Sequence, residues 1–323
     1  MKRLQYDAPT MRTLSRTLSV AKVAVFFCVA SCAGLECDAD KRQSIEHSNR
    51  GVDLMTKQSS AEAAKEFELA LQMDPQNQLA AYNLGQLYAQ QADGKCRQAA
   101  GSKECFDLND KAAGAFEVAV KNNDKDAMYV YKLGNAQFEA NKLDAARVSL
   151  EKAISLNKRL FKAHFILGKI HAAQGRPKDA ATEWSEAARL NPGFGKAFIS
   201  LGKLYYTWDM YAQAAQVLEQ GAHTARDPED RGSINYALGM TYDAQQQYDK
   251  AIAAYQESLK DDPASIDTKL QMGFSYADKG DKANAKKYLE EYTKSVGQSN
   301  EANAFKLVAA NSRLMKIMAA DVP

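Results

Sequence analysis

The stretch FKAHFILGKIHAAQGRPKDAATEWSEAARLNPGF, residues 161–194, decides the fold of this chain. Its Gly168 is followed by a small residue, an aromatic residue and a proline, namely Ala180, Trp184 and Pro192. Small residues let two antiparallel helices approach closely, and Trp184 fills the space beside that contact. The segment GRPKD supplies the turn, because Gly favours a helix end and Pro favours the next helix start. The stretch therefore predicts a helix hairpin.

The glycine of this hairpin recurs along the chain. Intervals of 34, 49, 34, 34, 37 and 34 residues separate seven positions that we call the packing glycines: Gly51, Gly85, Gly134, Gly168, Gly202, Gly239 and Gly273. A constant period indicates helix pairs that bury their apolar faces against their neighbours. We therefore predict seven helix pairs over residues 44–299, with an insertion in the second pair where the interval is longest.

These spacings resemble the tetratricopeptide repeat (TPR), with Ala, an aromatic residue or Leu, Ala and often Pro in the second helix. The resemblance implies an all-α fold, a right-handed solenoid of about seven helix-pair repeats. It also implies a concave groove lined by the first helix of each pair. A capping helix and tail are predicted in residues 300–323, because the last pair otherwise exposes its apolar face.

One face of each first helix is the predicted binding surface. Residues six and three before the packing glycine, and one and four after it, fall within about 80° of arc. The predicted partner-binding residues on that face are Tyr131, Phe138, Lys162, Phe165, Lys169, Lys196, Lys203, Tyr206 and Tyr236. A polypeptide with acidic and apolar residues would complement them. In the alternative interpretation the lysines are solvated and the aromatic side chains belong to the core.

The first 31 residues differ from the repeats. A basic start and the apolar run VAVFFCVA, residues 23–30, are typical of a signal peptide, and the run is too short to span a bilayer. The tetrapeptide VASC resembles a bacterial lipobox, which makes Cys32 the predicted lipidated residue at the start of a tether, residues 32–43. Ordinary cleavage after Ala33 is the alternative. The expected location is the bacterial envelope, facing the periplasm, and the outer membrane is favoured because no Asp follows Cys32.

The insertion in the second pair carries two cysteines. We expect a polar loop near residues 93–109, and Cys96 and Cys105 lie nine residues apart within it. In an exported protein such a pair favours a disulfide that holds the insertion together. A metal pair is the disfavoured alternative, since no His or further Cys is near.

Residues 300–319 read as a helix that is apolar on more than one side. One stripe contains Phe305, Val308, Ala309 and Met315, and another contains Leu307, Leu314 and Met318. Either the helix is a cap with a loosely packed outer side, or it is a surface for self-association or a partner.

Composition and motifs favour a binding protein over an enzyme. The formal charge is +2, and it becomes −2 without residues 1–31, which gives no electrostatic indication of nucleic-acid binding. No phosphate loop, nucleophile elbow or metal motif is present, so no cofactor or metal is expected. His164 and His171 flank Gly168 at positions that face a neighbouring helix, and we interpret both as packing residues.

The predicted function is a membrane-anchored scaffold or adaptor that binds a polypeptide in the concave groove. A lipid-anchored TPR protein is also similar to the pilotins that assist assembly of pili and secretion systems. A glycan-handling accessory of the cell-wall or polysaccharide machinery is the alternative of another class, because aromatic residues line the predicted groove. Architecture alone does not decide among these functions.

Overall fold

The computed structural model describes residues 39–99, 101–296 and 303–319, and all regular secondary structure in these residues is helical. The predicted signal peptide, Cys32 and most of the predicted tether lie outside the described residues. None of the described helices is both long enough and apolar enough to cross a bilayer. The chain divides into two compact units, residues 1–125 and 126–323.

The first unit contains two helix pairs. Its helices are α1 (Ala39–Thr56), α2 (Ser60–Met73), α3 (Gln78–Gln98) and α4 (Lys103–Asn122). Helix α1 begins five residues before the predicted start at position 44, within the segment predicted as a tether. The five additional residues are exposed, and the first buried contact is made by Ser44, which donates a hydrogen bond to the Ala70 carbonyl at 2.7 Å.

The second unit contains five helix pairs and a final single helix. The helices are α5 (Ala127–Glu139), α6 (Leu143–Leu156), α7 (Phe161–Ala173), α8 (Pro177–Leu190), α9 (Gly195–Thr207), α10 (Tyr211–Thr224), α11 (Pro228–Ala244), α12 (Tyr248–Asp261), α13 (Ile266–Lys279), α14 (Lys282–Val296) and α15 (Ala304–Ala319). Within each unit consecutive helices pack against each other, as in a TPR solenoid, so the predicted all-α helix-pair fold is confirmed.

Each packing glycine lies against a large side chain of the second helix in its pair. A methyl group on Gly168 would lie 2.5 Å from Cδ1 of Trp184, which is closer than any real contact. In the other pairs the side chains at the glycine are Phe67, Phe116, Leu150, Leu218, Tyr255 and Leu289. Any residue larger than glycine would push the two helices apart, which is why glycine recurs at this position.

Six of the seven pairs reverse direction through one left-handed residue, seven positions after the packing glycine. These residues have φ between 56° and 90° and are Gln58, Asn141, Gly175, Asp209, Gln246 and Gly280. The left-handed conformation ends the first helix and lets the chain turn back. Ala92 holds this position in the second pair, and there the helix continues to Gln98.

The prediction of a loop near residues 93–109 is wrong. Helices α3 and α4 absorb most of the insertion, because α3 continues to Gln98 and α4 begins at Lys103. The added turns face each other: Cys96 and Cys105 are joined by a disulfide with a Cα–Cα distance of 5.1 Å, and Lys95 pairs with Glu104 at 3.0 Å. Asn109 donates to the Cys105 carbonyl at 3.1 Å and braces the start of α4. Pairing between the two helices thus gives the inserted residues their helical structure.

Replacing both cysteines, Cys96→Ser with Cys105→Ser, is expected to lower the free energy of unfolding by about 2–3 kcal/mol. The cross-link restricts the unfolded chain, and that restriction is lost in the variant. Urea denaturation followed by circular dichroism measures the loss, and reduction of the wild type should reproduce it. Equal stability of variant and wild type, or two free thiols at these positions in protein purified without reductant, would contradict the prediction.

Helix α15 packs against α13 and α14 and covers the end of the second unit. Ala310 and Ile317 are buried, and Leu307 and Leu314 pack against the same apolar cluster. The opposite side of the helix is open to solvent, with exposed fractions of 86% for Phe305, 67% for Val308, 68% for Met315 and 55% for Met318. The helix therefore caps the array with one side and presents apolar residues on the other.

Self-association through this exposed side stays a prediction. If it occurs, the mass measured by sedimentation should rise with concentration for the wild type and stay monomeric for Val308→Glu with Met315→Glu. Val148→Glu, which makes the same change at an exposed apolar side chain of α6, is the control and should behave like the wild type. A wild type that is monomeric at every concentration would refute the prediction.

Candidate functional site

All nine predicted partner-binding residues lie on first helices of the second unit. Tyr131 and Phe138 are on α5, Lys162, Phe165 and Lys169 on α7, Lys196, Lys203 and Tyr206 on α9, and Tyr236 on α11. The five aromatic side chains are half-buried and the four lysines are exposed. The aromatic residues thus take part in the packing and still reach the surface, and their role in binding a partner stays a prediction.

The first group of these residues surrounds Lys169. Its ammonium nitrogen lies 4.5 Å from the ring centroid of Phe138 and 6.0 Å from that of Phe165. Both rings, together with Tyr131, pack against the apolar cluster between α5, α6 and α7. A cation over aromatic faces gains electrostatic attraction from the rings, which fixes the position of the ammonium group. Helices α5 and α7 therefore build one cationic, aromatic surface together.

Sequence analysis missed Lys132, which adds a charge to this surface. Burial lowers the pKa of the half-buried Lys132, and the nearby positive charge of Lys162 lowers this pKa further. Neither lysine, nor Lys169, forms an ion pair with a carboxylate in the part of the chain that the structure describes. Lys132 lies two residues before Gly134, just outside the arc used for prediction, so the spacing rule did not include it.

The second group lines a cavity of about 810 Å³ between α9, α11 and α13. Three predicted residues, Lys203, Tyr206 and Tyr236, contribute to its wall. The ring of Tyr236 lies 6.0 Å from the ring of Tyr255, and burial raises the pKa of the Tyr236 hydroxyl. The cavity thus combines a lysine and two aromatic side chains on neighbouring first helices.

The remaining predicted residues do not line this cavity. Lys162, Lys169 and the aromatic residues of α5 and α7 belong to the first group, and Lys196 lies beside Asp230. Asp230 is buried, and desolvation raises the pKa of its carboxyl, while the Lys196 charge acts in the opposite direction. Lys196 therefore has a carboxylate of its own protein nearby, although its exposed ammonium group forms no ion pair among the described residues.

Carboxylates on the cavity wall are a second feature that sequence analysis missed. The lining includes Glu229, Asp261, Asp262 and Asp267. Asp267 could have been found from the sequence, because it lies six residues before Gly273, the position held by lysines in α7 and α9. The other three lie at helix ends, whose approach to the groove depends on how the pairs stack.

The two histidines on α7 are both buried in the helix packing. His164 is buried and its Nδ1 lies 2.7 Å from a Glu183 carboxylate oxygen, whereas burial lowers the pKa of His171. Residues 39–99, 101–296 and 303–319 contain no group of three or more His, Cys, Asp or Glu side chains arranged to hold a metal. The groups that the first-helix surface and the cavity offer to a ligand are cations, aromatic rings and carboxylates.

Stacked helix pairs with a constant glycine-centred contact define a helical repeat protein. One tetratricopeptide repeat model matches residues 49–95, 108–156, 131–193 and 167–231, and two others match residues 233–265 and 267–299. The matches cover more than half of the chain, which belongs to the tetratricopeptide repeat family. None of the curated proteins matches its sequence.

Solved structures share the fold at low identity. The C-terminal part of a TPR protein from Cytophaga hutchinsonii is 19% identical, with a TM-score of 0.56 over 72% of this chain and 88% of that chain. PilF from Pseudomonas aeruginosa is 15% identical, with a TM-score of 0.53 over 74% of this chain and 99% of that chain. YrrB, described as a TPR protein with an unusual peptide-binding site, is 20% identical, with a TM-score of 0.51 over 62% and 99%.

Proposed function

We propose that the second unit binds a polypeptide segment with acidic and apolar residues along the first helices α5, α7, α9 and α11. The observation that carries the proposal is Lys169, an exposed cation held over Phe138 and Phe165 with no carboxylate partner in the described chain. No carboxylate of the described chain pairs with this charge, which stands beside apolar rings. A cation beside apolar rings is the complement of an acidic and apolar ligand.

The arrangement of the lysines supports an extended ligand. Lys132 and Lys162 repel each other on the side of α5 and α7, and Lys203 stands at the cavity between α9 and α11. Carboxylates of one bound segment could relieve the repulsion at the first place and pair with the charge at the second. A fold of this kind carries a peptide site in YrrB, which supports a polypeptide ligand here.

A selection experiment tests this function without a known partner. The full chain is immobilised and exposed to a phage-displayed library of random peptides. Enrichment of acidic and apolar sequences, dependent on Lys169 and Lys203, is the expected result. If no sequence is enriched over empty support, or if enrichment is unchanged on a folded Lys169→Glu, Lys203→Glu variant, the proposed function is wrong.

A glycan ligand is the second candidate, favoured by the cavity. Tyr206 and Tyr236 stand there with carboxylates, the combination that commonly holds sugar rings. Two of those carboxylates are already engaged in ion pairs, Asp261 with Arg231 and Asp267 with Lys306, which favours the polypeptide. Calorimetric titration with soluble cell-wall fragments separates the two candidates, since only the glycan function predicts heat of binding.

We further propose that the protein is exported by residues 1–31 and held in the bacterial envelope by a lipid on Cys32. The resemblance of VASC to a lipobox supports this location. Anchoring would concentrate the groove at the membrane, so a modest affinity would suffice for a scaffold or adaptor. A pilotin-like role in assembling a pilus or secretion system is the narrower form of this proposal.

Replacing Cys32 with serine is expected to move the protein from the membrane fraction to the soluble fraction, or to leave its leader uncleaved. Each buried methylene of an acyl chain contributes about 0.8 kcal/mol, so loss of the lipid removes the anchor. Immunoblotting of fractionated cells measures the change, and Cys37→Ser is the matched control. Membrane fractionation of Cys32→Ser like that of the wild type would overturn the anchor.

A further inference from the structure

The charge of the first-helix surface changes sign along the second unit. The residues six positions before the packing glycine are, in chain order, Met128, Lys162, Lys196, Ser233 and Asp267. The lysines therefore belong to α7 and α9, and an aspartate takes their place on α13. A ligand that contacts this row along its length meets a positive region first and a region of different charge at the cavity.

Small side chains make room for a ligand group in the cavity. Helix α11 presents Gly232, Ser233 and Ala237 to it. The equivalent positions of α7 hold the larger residues Phe161, Lys162 and Ile166. The half-buried rings of Tyr206 and Tyr236 contribute to its wall. Such a space accepts a long side chain whose stem packs against the rings.

Two of the four carboxylates at the cavity are neutralised by the protein itself. Arg231 donates hydrogen bonds to both carboxylate oxygens of Asp261. Lys306 from the capping helix donates to Asp267 at 2.7 Å. These ion pairs fix the positions of the two carboxylates, and each pair as a whole carries no net charge.

The other two carboxylates, Glu229 and Asp262, are not neutralised. Both are exposed, and neither forms an ion pair within the described residues. Glu229 stands at the start of α11 and Asp262 directly after α12, so the two come to the cavity from different helices. Lys203 supplies one opposing charge from the α9 side, where an acidic residue of the ligand would pair with it. The cavity therefore keeps an excess of negative charge at its walls, in contrast with the lysines of α7.

We propose that the side of this cavity formed by α11 and the end of α12 receives a lysine or arginine side chain of the bound polypeptide, so that the groove recognises a segment with acidic residues at one end, facing α7 and Lys203, and a basic residue at the other. The inference rests on the proposed polypeptide-binding function. Opposite charges at the two ends of the surface also fix the direction in which the segment lies, because the reversed segment would place like charges together.

Peptide selection on charge-neutralised variants tests the inference. Random peptides displayed on phage are selected on the wild type and on Glu229→Gln with Asp262→Asn. Sequences from the wild type should carry a lysine or arginine at a constant spacing from acidic residues. Sequences from the neutralised variant should keep the acidic residues and lose the basic one. Asp53→Asn with Glu62→Gln, two exposed changes in the first unit, is the matched control and should select like the wild type.

Affinity gives the quantitative readout. For one selected peptide measured by fluorescence anisotropy, the neutralised variant should bind about tenfold more weakly, the size expected for losing charged hydrogen bonds. A peptide with its basic residue changed to glutamine should bind the wild type and the neutralised variant equally. Circular dichroism confirms that each variant is folded.

The outcomes separate this inference from the function on which it rests. Enriched acidic sequences without a basic residue, or a basic preference that persists in the neutralised variant, would overturn the inference and leave the function standing. Absence of any enriched sequence on the wild type would overturn both.

Discussion

Trp184→Ala is expected to lower the free energy of unfolding by about 3–5 kcal/mol, the loss typical of a large buried aromatic side chain. Trp184 is 7% exposed and packs against Gly168 within its own pair. It also belongs to the apolar cluster that includes Leu201 on α9, so the change weakens two interfaces. Its indole nitrogen donates to the Phe165 carbonyl at 3.1 Å, and this hydrogen bond would be lost as well.

The chain offers a matched control, because it contains two tryptophans. Trp208 is only half-buried at the end of α9, where its ring meets the ring of Tyr205 at 6.1 Å. Trp208→Ala should therefore lower the free energy of unfolding clearly less than Trp184→Ala does. Urea denaturation followed by circular dichroism measures both, and equal losses would contradict the role given to the glycine–tryptophan contact.

A double-mutant cycle isolates that contact. In the wild type, Gly168→Ala should be destabilising by about 1–3 kcal/mol, because the added methyl meets the indole ring. In the Trp184→Ala background the methyl enters vacated space, and the better helix propensity of alanine should add up to about 1 kcal/mol of stability. A change of sign between the two backgrounds is the expected result.

Lys169→Glu with Lys203→Glu is expected to weaken peptide binding by about 100-fold or more. Each reversal removes an attraction and places a negative charge beside an acidic ligand, and like charges at an interface cost several kcal/mol. Neither lysine forms an ion pair in the described chain, so the reversals break none of its ion pairs. The fold should therefore remain while binding is lost.

The matched control carries two reversals on second helices of the same unit. Lys178 on α8 and Lys286 on α14 are exposed and form no ion pair among the described residues. Lys178→Glu with Lys286→Glu changes the net charge by the same amount, but away from the first-helix surface. Its binding should stay within about twofold of the wild type, since separated surface charges are largely screened at physiological salt.

The fold could be predicted because its contacts are made by residue types that the geometry requires. Only glycine fits where Gly168 meets Trp184, so the period was readable from seven positions. The insertion could not be predicted in the same way. Its polar residues and Gly94 are typical of a loop, and their helical structure depends on pairing across the Cys96–Cys105 disulfide, a contact between two helices.

The candidate site was predictable where it depends on positions that recur in each first helix and unpredictable where it depends on helix ends. Lys169, Phe138 and Phe165 follow from helical spacing, and the structure brings them together. Glu229 and Asp262 lie at helix ends, and they reach a common cavity only because three pairs stack side by side. No spacing rule within one repeat contains that information.

The central claim, that the first-helix surface binds a polypeptide through its unpaired lysines, is tested most directly by one titration. A fluorescent peptide selected on the wild type is titrated with three proteins. These are the wild-type chain, the double variant Lys169→Glu with Lys203→Glu, and the double variant Lys178→Glu with Lys286→Glu. The account predicts a loss of about 100-fold for the first variant and near wild-type affinity for the second. Wild-type affinity in a folded Lys169→Glu, Lys203→Glu protein would contradict it.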